Sequence, residues 1–160
     1  MANSTFNGPV RSENGFKTII KDSTTGSLTN EMTMSTYSTS ITVAATGTSH
    51  KESSIGIPPN FIPMGVAITV TSAAANNVNL VDIGTDADTD GFVDGISIAI
   101  NSAGFKGFFP CNGVLGMSGG ATTAATETAD EVELVISGTA GAGGVIALKF
   151  FGISSDSPTS

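Results

Sequence analysis

From Tyr37 onward the chain alternates apolar and polar residues in short runs, interrupted by glycine, asparagine and proline. Alternation with a period of two is what a half-buried strand imposes, because successive side chains point to opposite faces. The pattern predicts strands over Ser40–Ala45, Ser53–Ile57, Gly65–Ser72, Asn77–Ile83, Gly95–Asn101, Gly104–Pro110, Glu131–Ser137 and Gly144–Ile153. In Gly65–Ser72, for example, Val66, Ile68 and Val70 share one face, and Ala67, Thr69 and Thr71 the other. Pro58-Pro59 must end the ladder that Ser53 opens. The three phenylalanines of Gly104–Pro110 fit either a strand or a packed loop. Both faces of Gly144–Ile153 are apolar, which places it centrally or at a subunit contact. No segment carries an apolar stripe at helical spacing, and only Ala121–Thr128 would admit a turn of helix. The expected fold is all-β: an antiparallel β-sandwich, jelly-roll-like, with an extended N-terminal arm.

The arm is residues 1–36 and the sandwich module residues 37–160. Within the arm the bulky apolar residues Phe6, Val10, Phe16, Ile19 and Ile20 are widely spaced, with turn signals at Asn7-Gly8-Pro9 and Asn14-Gly15. Anchors separated by turns suit a segment that follows another surface and drops side chains into its pockets. The plainer reading is a terminus with one added strand near residues 16–21.

Charge sharpens this division. Arg11, Lys17 and Lys21 face only Glu13 in residues 1–21, a net +2, which leaves −10 for residues 22–160 of the total −8. A pI near 4.2 argues against nucleic-acid binding through a basic surface. Only 12% of residues are charged, about half the usual fraction of roughly 25%. Strand edges on so weakly charged a chain are adhesive, and a homo-oligomer is the simplest cover. The N-terminal residues do not read as a secretory signal, and no apolar run is long enough to span a bilayer. Cys111 is the single cysteine, which fits assembly in a reducing cytoplasm.

Candidate chemistry concentrates in Asp82, Asp86, Asp88, Asp90 and Asp94. Asp86-Ala87-Asp88-Thr89-Asp90-Gly91 matches the opening of a calcium loop, with oxygen ligands at alternate positions and then a turn glycine. Asp86, Asp88, Asp90 and Asp94 are the candidate calcium ligands. The twelfth position is Ser97 where an EF-hand needs glutamate, so the alternatives are a strand-to-strand calcium loop and a solvated turn. No other cofactor is expected. His50, the single histidine, lies in a polar stretch and reads as a surface residue, and Cys111 as an inert, partly buried thiol. The glycine clusters 119–120 and 141–144 lack a phosphate-loop pattern. No catalytic residue is assigned, and the chain does not read as an enzyme.

Ser4-Thr5-Phe6-Asn7-Gly8-Pro9-Val10-Arg11-Ser12-Glu13-Asn14-Gly15-Phe16 resembles the N-terminal arms of structural proteins from tailed bacteriophages. Val81–Phe92 is similar to a turn, Ile-Gly-x-x-x-Asp-x-Asp-Gly-aromatic, of β-sandwich virion proteins. The resemblance implies a head decoration (cement) protein: a homotrimer on the capsid exterior that clamps neighbouring capsomers. Its partner would be the major capsid protein, with Phe6, Pro9, Val10, Arg11, Phe16 and Lys17 as contacts. The alternatives are a tail, collar or fibre-attachment subunit and, from another class, a calcium-dependent carbohydrate-binding module. The absence of tryptophan and the single tyrosine weigh against the last.

Overall fold

The computed structural model describes residues 17–21, 23–26, 28–51, 57, 61–113 and 131–154. Ten strands follow one another: β1 (Lys17–Lys21), β2 (Leu28–Val43), β3 (Ser49–Lys51), β4 (Phe61–Ser72), β5 (Asn79–Thr85), β6 (Asp88–Val93), β7 (Ile98–Ala99), β8 (Gly104–Pro110), β9 (Val132–Ile136) and β10 (Gly144–Ser154). They form two antiparallel sheets, and the described residues contain no helix. The first sheet has the order β1-β2-β10-β4-β8. The second has the order β3-β9-β5-β6, with β7 paired to β5 beside β6.

β10 sits between β2 and β4, the central position its doubly apolar pattern calls for. Its register runs from Gly144↔Val43 to Ser154↔Thr33 on one side and from Val145↔Ser72 to Ser154↔Phe61 on the other. Phe150, Leu148 and Ile146 point inward with Val66, Ile68 and Val70 of β4 and Ile41 of β2, all essentially inaccessible to solvent. From the second sheet, Leu80, Ile83, Phe92, Val132, Leu134 and Ile136 enter the same core. The Phe92 ring of β6 meets Phe150 of β10 edge-on, 5.6 Å between centroids, and Tyr37 packs on Phe150 at 6.3 Å. Burial of each such side chain stabilises the fold by roughly 1.5–3 kcal/mol.

Several expectations need correction. The composition break at Thr36 falls inside β2, which starts at Leu28, so it does not separate an arm from the sheet. The strand foreseen near residues 16–21 is β1, paired to β2 from Lys17↔Thr33 to Lys21↔Leu28. The ladder is made by backbone groups, so a polar, threonine-rich run can extend a strand without alternating hydrophobicity. Phe6, Pro9, Val10, Arg11, Phe16 and the Ala121–Thr128 segment lie outside the described residues. Of Ser53–Ile57, Ile57 alone is described, and it is buried.

β8 is an edge strand whose ladder with β4 shifts between Ile68↔Gly107 and Thr69↔Phe105, leaving Lys106 as the extra residue of a bulge. Gly104 and Gly107 adopt positive φ (129° and 136°), which glycine alone takes readily. The strand closes on Pro110, which has no N–H to offer.

Candidate functional site

Side chains on β4 alternate between core and outward face, and their partners on β8 and β10 follow suit. Val66 pairs with Phe109, which packs against the core, whereas Ala67 pairs with Phe108 and Thr69 with Phe105 on the outward face. The Lys106 bulge brings Phe105 and Phe108, three residues apart, onto the same side. On β10 the outward positions are Val145, Ala147, Lys149, Phe151 and Ile153, and Met34 of β2 lies opposite Ile153.

Five large hydrophobic side chains are between 38% and 68% exposed: Met34, Met64, Phe105, Phe108 and Phe151. All five belong to the first sheet. Single exposed hydrophobics are ordinary, but a cluster on one face marks a contact surface. Phe108 and Phe151 meet edge-on at 5.7 Å. Between their strands sits Gly65, paired to Phe151 on one side and Pro110 on the other. A Cβ on Gly65 would overlap the Phe108 ring, so the missing side chain lets that ring lie flat over the sheet. Beside the aromatics runs a shallow groove of about 400 Å³ lined by Ser38, Ser40, Ala67, Thr69, Ala147 and Lys149, among others. Its floor is low because these side chains are small.

Among the described side chains of β2, β4 and β10, Lys149 carries the only charge. Its Nζ lies 5.8 Å from the centre of the Phe151 ring, within reach of a cation–π attraction. No described carboxylate pairs with it. Lys106, at the bulge, is held by donating to the Ser102 hydroxyl at 2.8 Å.

The second sheet presents a different surface. Asp86 and Ala87 form the tight turn between β5 and β6, so the segment read as a calcium loop is a hairpin with Asp88–Val93 extended. Lys51 of β3 forms an ion pair with Asp86 and lies 3.9 Å from the Glu133 carboxylate. Lys51 holds the Asp86 carboxyl below its usual pKa, and Asp86 in turn raises that of Lys51. Asp88 is shifted upward by its hydrogen bond with Asp90, the signature of two carboxyls sharing one place. Asp94 stands apart: its N–H donates to Asn112 Oδ1 and its carbonyl accepts from Asn112 Nδ2. Asp82 accepts from the Gly95 N–H at 2.9 Å. The β5–β6 ladder sets Thr85 opposite Asp88 and Ile83 opposite Val93 with a register shift between them, and Asp94 lies just past the end of β6. Of the four candidate ligands, Asp88 and Asp90 share a hydrogen bond, while Asp86 is paired with Lys51. Among the described residues no group of three or more His, Cys, Asp and Glu is placed to hold a metal ion.

His50 is buried, not a surface residue. It lies on β3 opposite Leu134, turned inward between two exposed neighbours. Its Nδ1 accepts the Ala44 N–H at 3.2 Å, which assigns the proton to Nε2. That buried Nε2 has no hydrogen-bond partner. Burial lowers the imidazole's pKa, opposed more weakly by the Gly47 backbone and the charge of Glu133. Cys111 is buried as expected, its thiol pushed up to about 12 by desolvation.

The sequence matches no family model and none of the curated proteins. Sequence reasoning noticed the phenylalanines of β8 but not that two of them face solvent. The bulge that turns both outward has its cue in Gly104 and Gly107, which flank Lys106.

Proposed function

We propose that this protein is a structural attachment subunit: a β-sandwich that decorates the exterior of a bacteriophage capsid as a homotrimer and cements neighbouring capsomers. The observation that carries this reading is the cluster of Phe105, Phe108, Phe151, Met34 and Met64 exposed on one sheet. A soluble chain maintains such a cluster at a cost in solubility, and contact with a large partner surface offsets it. The sandwich reading is supported by the shared core, in which Phe92 of one sheet meets Phe150 of the other. A ligand that binds only an assembled lattice stabilises that lattice by mass action, and several attachment points per oligomer multiply weak contacts.

The arm contributes Phe6, Pro9, Val10, Arg11, Phe16 and Lys17 as contacts with the major capsid protein. Because Lys17 opens β1, a truncation that tests the arm should stop at Phe16 and keep the β1–β2 ladder. Copy number and position on purified particles, read by labelling and electron microscopy, test the function. The expected result is a fixed stoichiometry with capsid subunits on the outer shell, reduced at least about tenfold in affinity by removal of residues 1–16. A location on tail or collar would overturn the capsid assignment. Normal decoration by the truncated chain would overturn the role of the arm.

A further inference from the structure

Among the described residues the exposed cluster surrounds a cation without a counter-ion, and this defines what the partner must bring. Lys149 stands on the central strand of the first sheet, with Ser38 of β2 and Ala67 of β4 as cross-strand neighbours and Phe108 one strand further. On one side it borders the groove of small side chains, on the other the Phe151 ring. In a chain of net charge −8 it is the one charge on the described outward surface of β2, β4 and β10.

We infer that this face docks an apolar protein surface that places a carboxylate over the groove, where Lys149 reads it. The inference rests on the attachment function proposed above and names the chemistry of the surface attached to. A cation stranded among apolar side chains loses hydration when the face is covered, and an acidic partner group restores its balance. A second copy meeting this face with the same face would bring Lys149 against Lys149 and supply no acid from the described side chains of β2, β4 or β10. Charge complementarity therefore selects a different protein surface. The size also fits: five strands spaced about 4.8 Å, each of several residues at about 3.3 Å, give a face on the order of 700 Å². A standard interface takes about 800 Å² per partner. The small side chains of the groove let the partner's acidic side chain descend to the ammonium while Phe105, Phe108 and Phe151 exclude water around it.

The test is co-sedimentation of the full-length protein with purified capsids that lack it, using wild type, Lys149→Glu and Lys149→Arg. Lys149 is exposed, so the variants should keep the wild-type melting temperature, which is measured in parallel. Charge reversal is expected to weaken capsid binding at least about tenfold and Lys149→Arg to leave it within about threefold. Wild-type binding should fall with added salt more steeply than that of Lys149→Glu. Equal binding by wild type and Lys149→Glu overturns the inference while leaving the attachment function in place. So does self-association in sedimentation of the protein alone that Lys149→Glu abolishes, since the face would then be covered by a second copy. A wild type that leaves capsids bare overturns the attachment reading, and this inference with it.

Discussion

The two sheets share one core but finish their outer surfaces in opposite ways. On the second sheet the side chains are charged and tied to one another: Lys51 to Asp86, Asp88 to Asp90, Asp82 to the Gly95 N–H. On the first, the described outward side chains of β2, β4 and β10 are hydroxyls, apolar groups including Met34 and Met64, and one lysine with no described counter-ion, with aromatics at the β8 edge. Described charge is thus gathered on one face and exposed apolar surface on the other. Repulsion among the acids keeps one side in water, and the near absence of charge on the other makes it cheap to dehydrate.

The two faces are joined through one core, so a substitution there should act on both at once. Phe150→Ala removes the ring that Tyr37 and Phe92 pack against and should cost about 3–5 kcal/mol of unfolding free energy in urea titration. Loss of both sheets in one transition is the expected form. Two separate transitions would mean that the faces belong to independent units.

A smaller effect separates the faces from each other. A Cβ on Gly84 of the second sheet would strike the backbone of Asp88 and Thr89, which cannot step aside. A Cβ on Gly65 of the first would strike only the end of the exposed Phe108 ring. Gly84→Ala should therefore destabilise by about 1–3 kcal/mol, as overpacking does. Gly65→Ala should cost less than about 1 kcal/mol while lifting Phe108 off the sheet, visible as altered ring shifts in NMR. Equal destabilisation by the two substitutions would show that the adhesive face is as rigid as the acidic one.

The smallest effect is a pH dependence rooted in β3. His50 has a folded-state pKa below its ordinary value of 6.5, so the unfolded chain takes up the proton first. Its contribution to stability is complete above 6.5 and is lost as pH falls from there through the depressed folded value. Protonation also turns Nδ1 into a donor facing the Ala44 N–H, breaking that hydrogen bond. The urea midpoint should drop between about pH 7.5 and about pH 5 in wild type, and drop less in His50→Gln. An unchanged slope in the variant would assign the effect to the carboxylates of the second sheet instead.

Much of the fold can be read directly from alternation. β4, β8, β9 and β10 appear close to where the pattern places them; β4 and β10 bury one face and leave the other partly open, whereas β9 buries Glu133 along with its apolar side chains. Two kinds of element escape such a reading. The first half of β2 is polar, and β6 opens Asp88-Thr89-Asp90-Gly91, a composition that speaks of a turn although the turn is Asp86-Ala87. Neither the long-range pairing of β2 with β10 nor the shifted register of the β5–β6 hairpin is encoded in local composition. His50 was missed for a related reason: three residues of strand in a polar stretch give too short a period to reveal that the middle one points inward. For the candidate site, parity distinguishes the two sides of a strand but not which of them a second sheet covers. The bulge at Lys106 further breaks parity between Phe105 and Phe108.

That same bulge decides how far adhesion can propagate. A flat, regular edge beside an exposed aromatic face would invite another chain to add a strand, and each added strand would present a fresh edge. On β8 the extra residue, two glycines in positive φ and a terminal proline interrupt the row of donors and acceptors. Strand addition at this edge is thereby disfavoured, which leaves the broad side of the sheet for contact. An edge so interrupted offers a second chain no continuous template on which to build a fibre.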